Sequence, residues 1–85
     1  MKYKLTREFD RLVKESFDIK WIEWTELGRF KEGFDEPALG RSLVLAPFTA
    51  AFTWQTTEVI EILEKSESII RFKTKNSIYT LEINN

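Results

Sequence analysis

The stretch Val59-Ile60-Glu61-Ile62-Leu63, Glu64-Lys65-Ser66-Glu67-Ser68, Ile69-Ile70-Arg71-Phe72-Lys73-Thr74 decides the fold. Two apolar, β-branched runs flank a polar turn, the pattern of an antiparallel hairpin. A second turn at Asn76-Ser77 returns the chain through Ile78-Tyr79-Thr80-Leu81-Glu82-Ile83. Glu58 to Ile83 therefore reads as an antiparallel meander. A two-residue turn at Asn76-Ser77 predicts Phe72 opposite Leu81, Ile70 opposite Ile83 and Arg71 opposite Glu82. In the first hairpin, keeping apolar residues together sets Ile62 opposite Ile70, Ile60 opposite Phe72 and Glu61 opposite Arg71. One face then carries Ile60, Ile62, Ile70, Phe72, Leu81 and Ile83. The other carries a charged row, Glu61–Arg71–Glu82, whose pairs contribute roughly 0.2–1 kcal/mol each.

Working outward, Ser42-Leu43-Val44-Leu45-Ala46 is a short strand stopped by Pro47, and Phe48 to Gln55 reads as another. Residues 42–85 thus form the antiparallel part of the chain. Residues 28–41 read as a long loop, holding Gly28, Gly33, Gly40, the turn Asp35-Glu36-Pro37, and two phenylalanines, Phe30 and Phe34. Within 18–27, Ile19 to Thr25 is rich in β-branched and aromatic residues and is preferred as a strand. The competing reading is a helix ending at Gly28, but Ile19, Trp21 and Ile22 would then point in three directions. In residues 1–17, Leu5, Phe9, Leu12, Val13 and Phe17 recur at helical spacing, with Thr6 as N-cap, and predict an N-terminal helix.

The expected fold is α+β: an N-terminal helix on a bent antiparallel sheet of five to six strands, closing into a small SH3-like or OB-like barrel. With 85 residues the chain makes one domain with a small core. Three Trp, seven Phe and two Tyr are more rings than such a core encloses, so some are expected at the surface.

Composition excludes much chemistry. Thirteen Lys and Arg balance fourteen Asp and Glu, so no global field draws nucleic acid or an anionic membrane. With no His and no Cys, imidazole- or thiol-based catalysis is excluded, structural zinc and the common transition-metal sites are nearly excluded, and no disulfide supports the fold. No phosphate-binding glycine loop is present. No cofactor or metal is expected. The nearest acid cluster, Glu32, Asp35 and Glu36, reads as a solvated turn. The N-terminus lacks the apolar region of a signal peptide, and no window reaches the ~20 apolar residues of a membrane span, so a soluble, cytoplasmic protein is expected.

Two candidate surfaces remain. A protein-binding patch is expected from Trp21, Trp24, Phe30 and Phe34 with Arg29 and Arg41, the residue types that dominate interfaces. The alternative is a nucleic-acid face of a small barrel made by Arg71, Lys73 and Lys75, with aromatic residues to stack bases. Between Glu61 and Glu82, Arg71 reads as neutralised. A homodimer is expected if Ile78–Ile83 forms a sheet edge.

The segment Trp54-Gln55-Thr56-Thr57-Glu58-Val59-Ile60-Glu61-Ile62, with Phe72-Lys73-Thr74-Lys75-Asn76-Ser77-Ile78-Tyr79-Thr80-Leu81, resembles the C-terminal part of short uncharacterised bacterial and phage proteins. The resemblance implies a small phage or mobile-element protein that binds, and inhibits or modulates, a host protein.

Overall fold

Two antiparallel sheets stack over one core. The structure, a computed structural model, describes residues 2–46, 48 and 54–84. Its strands are β1 (Lys2–Arg7), β2 (Leu12–Ser16), β3 (Ile19–Trp24), β4 (Phe30–Phe34), β5 (Arg41–Leu45), β6 (Trp54–Gln55), β7 (Val59–Lys65), β8 (Ile69–Thr74) and β9 (Ile78–Asn84). One sheet has five strands in the order β2-β1-β9-β8-β7, the other four in the order β4-β3-β5-β6. Among the described residues there is no helix and no closed barrel, so the α+β expectation and its SH3-like or OB-like closure are overturned.

The expected N-terminal helix is instead a hairpin. β1 pairs with β2 from Tyr3↔Ser16 to Arg7↔Leu12. The turn between them is closed by a charge. Arg7 Nε and Nη2 donate to Asp10 at 3.0 and 2.7 Å, and Asp10 Oδ1 accepts the Leu12 N–H at 3.1 Å. Arg11 takes the left-handed φ of 57° that such a turn needs, without a glycine to announce it. The residues that suggested a helical stripe separate: Leu5 is buried, whereas Phe9 and Phe17 are 72% and 73% exposed. The winning signal is the alternation of Tyr3 and Leu5 with Lys2, Lys4 and Thr6.

The loop expected over 28–41 contains β4. It pairs with β3 through Trp21↔Phe34 and Ile22↔Gly33, and Lys31 bonds Glu23 at 3.2 Å. Gly28, at φ 77°, makes the β3–β4 turn, donating its N–H to Thr25 O at 2.9 Å. The chain then crosses from β4 to β5 through Asp35–Gly40. Glu36 bonds Lys65 at 2.6 Å and the Gly40 N–H bonds Val59 O at 2.8 Å, tying this crossover to β7. The strand expected over Phe48–Gln55 appears as β6, Trp54–Gln55; residues 49–53 lie outside the described residues.

The meander forms with altered registers. β8 and β9 pair as Phe72↔Tyr79, Ile70↔Leu81 and Arg71↔Thr80, two residues from the expected alignment. The turn centres one residue earlier than Asn76-Ser77, on Lys75-Asn76: the Thr74 N–H bonds Ser77 O at 2.8 Å, and Thr74 Oγ1 accepts the Ser77 N–H at 3.3 Å. A slip of two keeps each side chain on its face, so the core survives while every cross-strand partner changes. In β7–β8, register shifts fall between Val59 and Glu61 and between Ile62 and Glu64, giving Ile62↔Phe72 and Glu61↔Lys73. These bulges turn Ile60 and Leu63 outward, 52% and 36% exposed, against the expectation that Ile60 is core. β9 lies between β1 and β8, so the expected edge at Ile78–Ile83 is an interior strand.

The core is Leu5, Trp21, Leu43, Leu45, Val59, Ile70, Phe72, Tyr79 and Leu81. Residues of both sheets contribute, and each large apolar side chain adds about 1.5–3 kcal/mol on burial. Trp21 of β3 meets Phe72 of β8 edge to face at 5.3 Å, and Phe72 stacks on Tyr79 at 5.4 Å.

Candidate functional site

Four connections gather at one end of the molecule. β1 ends beside the start of β9, at Arg7↔Tyr79, which sets the β1–β2 turn next to the β8–β9 turn. The Glu8 N–H bonds Ile78 O at 2.9 Å and fixes that contact. The β3–β4 turn and the β6–β7 link (Thr56–Glu58) complete the end, where an open cleft of about 600 Å³ is lined by Trp24, Gly28, Ser42, Thr56, Glu58, Ile60 and Lys75 among others.

The back wall of the cleft is held by hydrogen bonds. Trp24 Nε1 donates to Ser42 Oγ at 2.9 Å, which orients the half-buried indole. The Leu43 N–H donates to Thr56 Oγ1 at 3.0 Å, and the Thr56 N–H donates to Leu43 O at 2.9 Å. Thr56 Oγ1 in turn donates to Thr57 O at 2.8 Å. Against this wall stands Ile60, turned outward by the bulge in β7. Glu58 and Lys75, of opposite charge, complete the lining. A second cleft of about 390 Å³ is lined by Glu8, Phe9, Lys73, Lys75, Asn76 and Ile78, among others. Lys75, in the β8–β9 turn, lines both clefts.

The residues expected in a protein-binding patch divide. Trp24 lies in the larger cleft. Phe30 is the first residue of β4, paired with Trp24 and 63% exposed, and Arg29 is exposed on the adjoining turn. Trp21 is 1% exposed and belongs to the core. Phe34 packs against that core, with the Arg41 guanidinium 3.5 Å above its ring. Arg41 also donates from Nη1 to Glu36 O at 2.8 Å, and its buried Nε faces Glu23 Oε2 at 3.6 Å, an ion pair too long for a hydrogen bond. Phe34 and Arg41 are thus engaged within the protein.

The basic run also divides. Arg71 is held by Glu8 through Nε at 3.1 Å and Nη2 at 2.9 Å, in place of the expected row with Glu61 and Glu82. Lys73 lies across from Glu61 and lines the smaller cleft. Lys75 brings the two candidate sets together, because it shares the larger cleft with Trp24. The acids Asp35 and Glu36 each bond their own lysine, Lys20 at 3.0 Å and Lys65 at 2.6 Å, and Glu32 lies on β4. Among the described residues no group of three or more acids converges to hold a metal ion. Nor is there a helix long and apolar enough to cross a membrane.

Sequence reasoning missed Phe9 and Ile60. Phe9 follows from reading Asp10-Arg11 as a turn rather than as part of a helix. For Ile60 the alternation points to the core, and the bulge between Val59 and Glu61 reverses it. No protein-family model, curated protein or solved structure matches this chain.

Proposed function

We propose that this protein is a small non-enzymatic binding module that holds a protein segment in the end cleft. The observation that carries this reading is the Trp24 indole, fixed by Ser42 at 2.9 Å beside the outward-facing Ile60. A rigid aromatic ring and an aliphatic side chain in one recess form the kind of pocket that anchors a partner's apolar residue. Glu58 and Lys75 offer the same partner one acceptor and one donor. Phe30, on the flank, extends the apolar contact. The role of inhibitor or modulator of a host protein rests on the sequence resemblance alone.

The test compares the wild-type protein with Ile60→Glu and Phe30→Asp. Both side chains are more than half exposed, so neither change removes core packing. The expected result is a protein retained by the wild type, lost by both variants, and bound directly when purified. Equal retention by all three proteins removes the cleft from the reading.

The nucleic-acid alternative retains Lys73, Lys75 and Phe9 in the smaller cleft. Arg71, bound to Glu8, contributes little to it. That reading requires affinity for mixed-sequence oligonucleotides that falls steeply with salt.

A further inference from the structure

The edges of the two sheets are unequal. β7 is broken by two register shifts, β4 by one, and β6 has two residues. β2 runs its whole length against β1 without a shift. Bulges discourage further pairing along an edge, and β2 lacks them.

Hydrogen-bond parity shows which backbone groups β2 leaves open. The Glu8 N–H bonds Ile78 O, so the even-numbered residues of β1 bond to β9 and the odd-numbered ones turn toward β2. With Arg7↔Leu12, Leu5↔Lys14 and Tyr3↔Ser16 in register, Leu12, Lys14 and Ser16 bond back to β1. Val13 and Glu15 therefore aim their N–H and C=O groups at the free edge. The same edge is apolar for its position: Val13 is 45% exposed, with Phe9 at 72% before it and Phe17 at 73% after it.

We infer that β2 pairs antiparallel with β2 of a second copy of this chain, about a two-fold axis at Val13, joining two five-stranded sheets into one. Charge selects the axis. A two-fold normal to the sheet keeps faces together, so it passes through a residue position. At Lys14 it sets lysine against lysine, and at Glu15 glutamate against glutamate, both unfavourable directly across a ladder. At Leu12 or Ser16 almost none of the strand overlaps its copy. At Val13, valine meets valine in a hydrogen-bonded pair, Leu12 meets the aliphatic stem of Lys14, and Arg11 meets Glu15. The two ends then bring Phe9 of one copy toward Phe17 of the other. Glu15 already touches Lys2 at 3.2 Å in an exposed pair, which leaves it open to Arg11 of the second copy.

Sedimentation equilibrium across a range of concentrations, with Val13→Lys beside the wild type, reads the interface. The wild type is expected to dimerise, and Val13→Lys to raise the dissociation constant about tenfold or more with an unchanged circular dichroism spectrum. Arg11→Glu is expected to weaken the dimer, and Arg11→Glu with Glu15→Arg to restore it. The chain has no cysteine, so Val13→Cys places one thiol per copy at the axis: hydrogen-bonded pairs bring Cα atoms to about 5.5 Å, within the span of a short bis-maleimide cross-linker. A single cross-linked dimer from Val13→Cys, and little from Leu12→Cys, is the expected outcome. A wild type that stays monomeric at every concentration overturns the proposal. So does a dimer indifferent to Val13→Lys, or one in which Val13→Cys does not cross-link.

Discussion

Glu8, at the β1–β2 turn, holds Arg71 of β8 with two guanidinium nitrogens at 2.9–3.1 Å, across a sequence separation of 63 residues. The pair crosses β9, whose Thr80 lies opposite both Thr6 and Arg71. It fixes the N-terminal hairpin to the meander and takes Arg71 out of the basic run. Both side chains are about two-fifths exposed, so the pair contributes roughly 0.2–1 kcal/mol. Glu8→Gln is expected to lower the urea midpoint slightly and to free Arg71 beside Lys73. Oligonucleotide binding at low salt should then rise in Glu8→Gln relative to the wild type. An unchanged titration would separate this face from any nucleic-acid role.

Trp21 makes an aromatic contact between the sheets. It is 1% exposed and meets Phe72 edge to face. Trp21→Ala removes that contact and leaves a large cavity, at a cost of about 3–5 kcal/mol. For a chain of this size that is comparable with the total stability, so the variant is expected to be largely unfolded at room temperature. Trp21→Phe should remain folded with a lower midpoint. Circular dichroism during urea titration checks both.

The meander was legible because its side chains alternate and its polar turns are explicit. The partners across it were not, since a turn centred on Asn76-Ser77 and one centred a residue earlier preserve the same faces. β1–β2 was misread for a physical reason. Leu5, Phe9, Leu12 and Val13 satisfy a helical spacing, and the turn that refutes it is built by Arg11 at positive φ and the Arg7–Asp10 pair, neither of which marks itself in sequence. β4 was hidden because Phe30-Lys31-Glu32-Gly33-Phe34 has too few apolar residues to read as a strand; β3 supplies the partner that makes it one. In the cleft, Trp24 and Lys75 were readable as types, but their meeting depends on the stacking of the sheets.

Arg41 tests whether a residue expected to bind a partner is instead structural. Its guanidinium lies 3.5 Å from the Phe34 ring centre and donates to Glu36 O. Lysine keeps the charge but loses the planar face and the fork of donors. Arg41→Lys is expected to cost about 0.5–2 kcal/mol, read as a lowered midpoint with an unchanged slope. Partner retention per folded molecule should not change. A loss of retention without a loss of stability would return Arg41 to the binding surface.

The β1–β2 turn should respond to acid. The side-chain hydrogen bond from Arg7 holds the Asp10 carboxyl below its ordinary value of 3.8, with the Leu12 N–H acting in the same direction, while Asp10 raises the Arg7 guanidinium. A carboxyl depressed in the folded state stabilises the fold above its unfolded pKa, and this contribution is lost as pH falls through the folded value. Asp10→Asn keeps an oxygen for the Leu12 N–H and Arg7 Nε, and removes the charge together with the oxygen that accepts from Arg7 Nη2. At about pH 6 the wild type should be the more stable of the two. As pH falls below the ordinary carboxylate range the two stabilities should converge, with Arg7 charged throughout. Urea midpoints of both proteins across that range give the comparison. A gap that persists in strong acid would assign the effect of Asp10 to the shape of the turn rather than to its charge.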